Sequence, residues 1–134
     1  MKVEINRIEP SDKAWLAQVA LESERTLLEC LRLSAFAWTG SVDGELACVL
    51  GMVPPSLMSN QAYIWLHTTE VAERHQFLLV RYSQIMIEKM HEKFEILVGH
   101  CEIKAHRSRR WLRWLGADFG SPNGVGIPFV IRKK

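Results

Sequence analysis

Residues 96–119 of the chain read ILVGHCEIKAHRSRRWLRWLGADF, and the order of apolar, basic and aromatic residues in this stretch decides the fold. The stretch begins with a short apolar run, 96–101, that is typical of a buried strand. The basic and aromatic residues that follow are spaced as in a helix, and Gly116 stands where such a helix ends. The stretch therefore predicts a strand, a helix over about 105–115 and a turn that leads to Phe119.

The strand at 96–101 is joined to an earlier strand by the longest helical pattern in the chain. That pattern covers about 72–93, and the earlier strand covers 63–68. Because a long helix connects them, the two strands are expected to be parallel neighbours in a right-handed crossover. This part of the chain therefore predicts one βαβ unit.

A hairpin is predicted further upstream, because Asp43 and Gly44 separate two strand-like runs, 36–42 and 46–53. The second run is apolar almost throughout, which favours a strand buried on both faces. The remaining predicted elements are a first strand ending at Pro10, a helix with N-cap oxygens from Ser11 and Asp12 and a break near 21–23, and closing strands at 117–120 and 127–132.

Together these elements predict an α+β fold in which one βαβ unit follows an antiparallel meander. The sheet is expected to be mixed and mostly antiparallel, with one parallel pair and helices on both faces. A length of 134 residues, with 48% apolar and 24% charged residues, suits a globular chain rather than a disordered one. We therefore expect a single domain over 1–134.

Charge and hydropathy exclude several classes of protein. The formal net charge is only +2, so the whole molecule is not a polycation, and the longest apolar run, 46–53, is far too short to span a membrane. The N-terminus has no apolar signal core. The three cysteines are at unrelated spacings. These features predict reduced thiols, a cytoplasmic location and no membrane association.

The order of elements resembles the GNAT (Gcn5-related N-acetyltransferase) family along the whole chain. The strand at 96–98 with the segment 108–119 is similar to the family's second motif, a strand and a helix closing on an aromatic-rich Gly-Phe turn. A narrower resemblance, to small GNAT-like proteins of short-tailed bacteriophages that include an internal virion protein-like family, rests on Trp65, the glycine-free long helix and the ending 111–119.

This resemblance implies an acyl-CoA-dependent N-acyltransferase that moves an acetyl group to an amine. In the family, acetyl-CoA enters where the fourth and fifth strands splay apart, and its diphosphate rests on the start of the next helix. The acyl acceptor would be an amine on a small molecule or a protein. The residues that would bind the cofactor are Leu66, His67 and Thr68 along the pantetheine, and Arg74, His75 and Gln76 in the phosphate turn at 71–76.

The chain departs from the family's pattern at two places. The phosphate turn normally reads Gln/Arg-x-x-Gly-x-Gly/Ala, but this chain has no glycine between Gly51 and Gly99 and carries Glu70 and Glu73 there. Leu112 stands about where many active members place the tyrosine that protonates the leaving thiolate. The alternative interpretation is a degenerate cofactor site, or a non-catalytic member that serves as a phage structural or assembly protein and contacts virion or assembly proteins.

His67 is the candidate general base, because it ends the fourth strand near the expected thioester and a neutral imidazole can take a proton near neutral pH. The alternative is a structural histidine bonded to a nearby carbonyl. His100 and Cys101 invite a zinc or nucleophile interpretation, but the usual paired ligand spacings are absent. Buried strand residues are the favoured interpretation of that pair, and we expect no metal.

The segment 104–114 contains five basic residues and no acid. Three interpretations stay open: Arg107 or Arg109 contacts a phosphate of CoA, the segment contacts nucleic acid, or it is a solvated face whose apolar residues dock the helix on the sheet. Binding of nucleic acid is not expected, because no recognition helix of known docking geometry is present.

Overall fold

The computed structural model describes residues 1–9, 14–19, 21–56 and 58–134, without the side chains of residues 21 and 22. Pro10, Ser11 and Asp12, where a strand end and a helix cap were predicted, lie outside the described residues. The elements are β1 (Val3–Arg7), a 3₁₀ helix (Ala14–Gln18), α1 (Leu21–Leu33), β2 (Phe36–Val42), β3 (Glu45–Val53), β4 (Gln61–Thr68), α2 (Glu70–Arg74), α3 (Gln76–His91), β5 (Ile96–Cys101), α4 (His106–Trp114), β6 (Asp118–Phe119) and β7 (Ile127–Arg132).

The strands of the described chain form a seven-stranded mixed sheet in the order β1-β2-β3-β4-β5-β7-β6. The pair β4–β5 is parallel, whereas β1–β2, β2–β3, β5–β7 and β6–β7 are antiparallel. The predicted α+β fold with one parallel pair is therefore confirmed. The chain divides into two compact units, Met1–Val53 with Trp65–Leu78 and Pro54–Ile64 with Leu79–Lys134. That 1–134 is one domain stays a prediction.

The first unit contains the predicted hairpin. Asp43 and Gly44 both have positive φ, 50° and 83°, as a two-residue hairpin turn requires. Apart from Glu45 at its start, β3 is buried or half-buried throughout, which confirms the prediction from its apolar run.

Two apolar clusters of the first unit take up different parts of β2 and β3. The larger one joins Ala37 and Val49 to the 3₁₀ helix and α1, and the smaller one joins Val42 and Ala47 to α2. Burial of this apolar surface is the main favourable term for the fold of the unit.

Trp65 fixes β4 against β3 in the same unit. Its indole ring lies so close to Gly51 that a Cβ atom there would be 2.7 Å from the ring. The indole N–H donates to Ser34 Oγ at 2.8 Å, and that hydroxyl donates to the carbonyl of Cys30 at 2.7 Å. Gly51 is therefore required by a close approach rather than by backbone conformation.

The second unit packs around β5 and β7. Phe129 of β7 covers Gly99 of β5, where a Cβ atom would be 2.6 Å from the ring. His91, at the end of α3 and only 7% exposed, lies 3.1 Å through Nε2 from the carbonyl of Ile131. This hydrogen bond satisfies a polar group that burial would otherwise penalise.

The predicted helix over 72–93 is wrong in one respect, because it is two helices. His75 separates them with φ −126° and ψ 42°, values outside the helical region. In the N-terminal region the predicted break near 21–23 is also wrong, because α1 already begins at Leu21, after a 3₁₀ helix that ends at Gln18. Helical periodicity alone does not resolve such breaks, because a single non-helical residue barely disturbs it.

The helix in the stretch that decides the fold ends as predicted. Gly116 has φ 101°, and its amide donates to the carbonyl of Arg113 at 3.0 Å. The next amide, that of Ala117, donates to Leu112 at 3.0 Å. A left-handed residue with paired amides is the usual helix stop at a glycine.

Replacing Gly51 by alanine should lower the free energy of unfolding by about 1–3 kcal/mol, because the new methyl group overpacks against the hydrogen-bonded Trp65 ring. Gly124→Ala is the matched control, since a Cβ atom there meets nothing within 4 Å. Urea denaturation of both variants measures the difference. Equal stabilities of the two variants would contradict the close approach of Trp65 to β3.

Candidate functional site

The end of β4 is the most unusual feature of the sheet. β4 pairs with β5 through Gln61–Tyr63 and Ile96–Val98, whereas β4 itself continues to Thr68. The structure describes all of Ile64–Thr68, and this part of β4 forms no ladder with β5. Every second residue along this edge of the strand therefore presents an N–H and a C=O group that β5 does not bind. Such N–H and C=O groups are strong hydrogen-bonding positions that can bind an extended, amide-containing ligand.

The side chains at the end of β4 alternate between the two faces of the sheet. Leu66, 42% exposed, and the exposed Thr68 share one face. Trp65 and the half-buried His67 share the other. Within the described residues the imidazole of His67 makes no hydrogen bond, so the carbonyl-bound alternative for this histidine is not observed.

Thr69 anchors the turn after β4. Its amide donates to the carbonyl of Ala47 at 2.9 Å, and its hydroxyl donates to the carbonyl of Leu46 at 2.5 Å. The same hydroxyl oxygen accepts from the amide of Val71 at 3.2 Å, so Thr69 is the N-cap of α2. One residue therefore holds the end of β4 on β3 and starts the next helix.

Four backbone amides of the predicted phosphate turn, those of Val71, Ala72, Glu73 and His75, are engaged within the chain. Those of Ala72 and Glu73 donate to the carbonyl of Thr69, and that of His75 donates to Val71 and Ala72. Val71 and Ala72 are themselves buried in the smaller cluster of the first unit. This turn is a capped helical turn rather than an open cradle of amides.

The charges of the turn are mostly negative. Glu70 and Glu73 are exposed in the first turn of α2. Arg74 is turned toward Glu45, with 3.6 Å between its guanidinium and that carboxylate. Both partners of this pair are more than half exposed, so the pair adds little to stability. It nevertheless gives the basic residue of the turn an acidic neighbour.

The last two predicted residues of the turn lie where one helix ends and the next begins. His75 caps the end of α2 and is half-buried, and Gln76 begins α3. The amide of Leu78 donates to the carbonyl of His75 at 2.9 Å, so this residue also joins the two helices. Phe77, beside Gln76, is 76% exposed.

The basic segment of the second unit is a docked helix with arginines on its outside. The indole N–H of Trp111 donates to Ser83 Oγ on α3 at 2.9 Å, and Leu115 is only 8% exposed. Arg113 lies over the ring of Phe119, with 5.5 Å between guanidinium carbon and ring centre. These contacts favour the interpretation in which α4 is docked through its apolar residues.

The two arginines assigned to a phosphate of CoA both have contacts within the protein. The guanidinium of Arg109 donates to the carbonyl of Ile103 and contacts Nδ1 of His106. Arg107 is exposed and also has an interaction within the chain. Arg109 would have to leave its present contacts before binding a ligand.

His100 and Cys101 both have contacts within the protein. The hydroxyl of Tyr63 is 3.3 Å from Nδ1 of His100. Cys101 is buried, and this burial raises the pKa of its thiol, which disfavours the nucleophilic thiolate. Among the described residues, no three side chains of His, Cys, Asp or Glu converge as metal ligands would. Nor does any helix in the described ranges combine the length and the apolar character that crossing a membrane requires.

Comparisons with known proteins agree at the level of structure alone. No family model matches the chain, and no curated protein matches it in sequence. An acetyltransferase from Bacillus subtilis in complex with CoA superposes with a TM-score of 0.72 at 14% identity, over 99% of this chain and 100% of that one. The ribosomal-protein-S18-alanine N-acetyltransferase from Escherichia coli gives 0.71 at 13%, over 98% and 94%. The chain has the GNAT fold.

A third structure with this fold also holds the cofactor. It is RimL, the ribosomal L7/L12 α-N-protein acetyltransferase in complex with CoA, with a TM-score of 0.69 at 15% identity over 97% of this chain and 93% of that one. The expectation from the element order and from the segment 96–119 is therefore confirmed as a fold. The resemblance to phage proteins is not tested by these comparisons.

Sequence reasoning missed two residues that shape the site, Thr69 and Glu45. A signal for Thr69 was present, because a threonine followed by two glutamates within the next turn is a helix-start pattern. That pattern predicts a capped helix at 70 rather than an open phosphate turn. Glu45 gave no signal, because its contact with Arg74 joins residues far apart in sequence.

Thr69→Val should lower the free energy of unfolding by about 1–2 kcal/mol, since it removes the cap of α2 and the hydroxyl contact with β3. Thr69→Ser retains the hydroxyl and should lose much less. Urea denaturation followed by circular dichroism measures both. A valine variant as stable as the serine variant would show that the hydroxyl does not anchor this turn.

Proposed function

We propose that the protein is an acyl-CoA-dependent N-acyltransferase that carries the pantetheine arm of its donor along the end of β4. The observation that carries the proposal is the strand's continuation to Thr68 after its ladder with β5 has ended at Tyr63. The GNAT fold, and the CoA present in two structures that share it, support the choice of donor.

The pantetheine arm suits this strand edge chemically. It is an extended chain with two amide groups, and each amide offers one donor and one acceptor. The backbone of Leu66, His67 and Thr68 can pair with such a chain as a neighbouring strand would. The exposed side chains of Leu66 and Thr68 would lie beside the arm and limit its position.

His67 would act as the general base in the transfer. The amine nitrogen attacks the thioester carbonyl, the C–N bond forms, and the C–S bond breaks to release the carrier as a thiolate, which then takes from the imidazole the proton that the amine has lost. The amine's proton passes to the imidazole, whose nitrogens make no hydrogen bond within the described chain. A positioned base of this kind contributes about 10²–10⁴-fold to such rates.

The pantetheine arm fits the edge of β4, but the diphosphate end of CoA does not fit the turn at 71–76 that follows it. The amides of Val71, Ala72, Glu73 and His75 are bonded to Thr69 or within α2, and no glycine of the turn allows a close approach of the backbone. The proposal therefore assigns the donor's position to β4 and no role to the start of α2.

These features of the turn, together with Leu112, favour a second candidate. A GNAT-fold protein without catalysis, acting in a phage particle or in its assembly, would need neither a phosphate turn nor a thiolate-protonating tyrosine. Its partners would be virion or assembly proteins. For either candidate we propose a cytosolic or particle location, with which the free thiols of Cys30, Cys48 and Cys101 are consistent.

Titration of the folded protein with acetyl-CoA should give saturable heat, and His67→Gln should lower kcat for amine acetylation by about 10²-fold with the affinity for acetyl-CoA unchanged. His100→Gln is the matched histidine control and should retain the rate. Isothermal calorimetry and release of free thiol are the measurements. Absence of binding at millimolar acetyl-CoA would reject the first candidate and leave the second.

A further inference from the structure

The turn after β4 disfavours a diphosphate for two independent reasons. The first is hydrogen bonding, because the amides of Val71, Ala72, Glu73, His75 and Leu78 already have acceptors within the chain. An anion bound to these amides would have to break the cap on Thr69 or the turns of the helices. Anion sites at helix starts depend on amides that lack such partners.

The second reason is charge. The carboxylates of Glu70 and Glu73 are exposed and form no ion pair among the described residues. Arg74, the one arginine of the turn, faces Glu45 at 3.6 Å. The local field is therefore negative, and it repels a diphosphate to a degree that salt reduces.

From these observations we infer that the chain recognises its acyl donor through the pantetheine thioester arm alone, so that its donor class is acyl-pantetheine thioesters rather than acyl-CoA specifically. The inference rests on the proposed function, because it concerns the ligand of the same strand edge. The adenosine and diphosphate of CoA extend beyond Thr68 into solvent and add no affinity. Any thioester on a pantetheine arm that can reach β4 is then an equivalent donor.

The test is a pair of NMR titrations of the folded protein, one with CoA and one with pantetheine. We expect the two dissociation constants to agree within about tenfold. The variant E70Q/E73Q should bind CoA several-fold more tightly and bind pantetheine as before. The variant E88Q/E92Q removes the same charge from two exposed positions, Glu88 near the end of α3 and Glu92 just after it, and should change neither affinity.

Raising the ionic strength gives an independent readout. Because the expected effect on CoA is repulsive, its affinity should hold or increase when salt is raised from about 0.05 to 0.5 M. CoA that binds more than tenfold tighter than pantetheine, or that is lost as salt rises, would overturn the inference and leave the acyltransferase proposal standing. An E70Q/E73Q variant with unchanged affinity for CoA would overturn it as well. Binding of neither ligand would instead reject the proposed function itself.

Discussion

The hydrogen bonds of Thr69 are the interaction on which the rest of the site depends. Its amide and hydroxyl reach the carbonyls of Ala47 and Leu46, so the end of β4 is held on β3 rather than by β5. Trp65 supports the same strand earlier, through its contact with Gly51 and its hydrogen bond to Ser34. With two anchors on one side, the other edge of the strand does not need a ladder to stay extended.

The same threonine also determines what the following turn can do. A side-chain cap stabilises α2 because it satisfies an amide that would otherwise lack a partner. Binding of an anion at a helix start uses the same amides. In this chain the amides of Val71, Ala72, Glu73 and His75 already have acceptors at Thr69 or within α2, and Glu70 and Glu73 complement the positive end of the helix in place of a ligand. Glu70 and Glu73 are therefore ordinary residues for the first turn of a capped helix.

Much of the fold was predictable because its signals are local. The bounds of β2, β5 and β7 follow from apolar runs, Asp43 with Gly44 marks the hairpin, and Gly116 marks the end of α4. The division at His75 was not predictable from periodicity, since the apolar spacing continues across it. The neighbours of Arg74 and Arg109 were not predictable either. Arg74 faces Glu45, which is far away in the sequence, and Arg109 donates to the carbonyl of Ile103, which lies in a turn before α4.

The candidate site was predictable only in part for a similar reason. The end of β4 can be located from the pattern around Thr68. Whether its backbone pairs with β5 depends on where the ladder between the two strands stops, and the local sequence does not show that. The assignment of Arg74, His75 and Gln76 to a phosphate turn came from the family resemblance, and it stays a prediction. In the structure these residues lie at a helix end and a helix start.

The central claim is that the edge of β4 after Tyr63 is available to a pantetheine arm. Residue-resolved amide hydrogen exchange, measured by NMR with and without saturating acetyl-CoA, tests it most directly. The account predicts that those amides of Trp65–Thr68 that do not pair with β3 exchange quickly in the free protein and become protected when the ligand is bound. If these same amides are already as protected as Gln61–Tyr63 in the free protein, or remain unprotected in the presence of bound ligand, the result would contradict the claim.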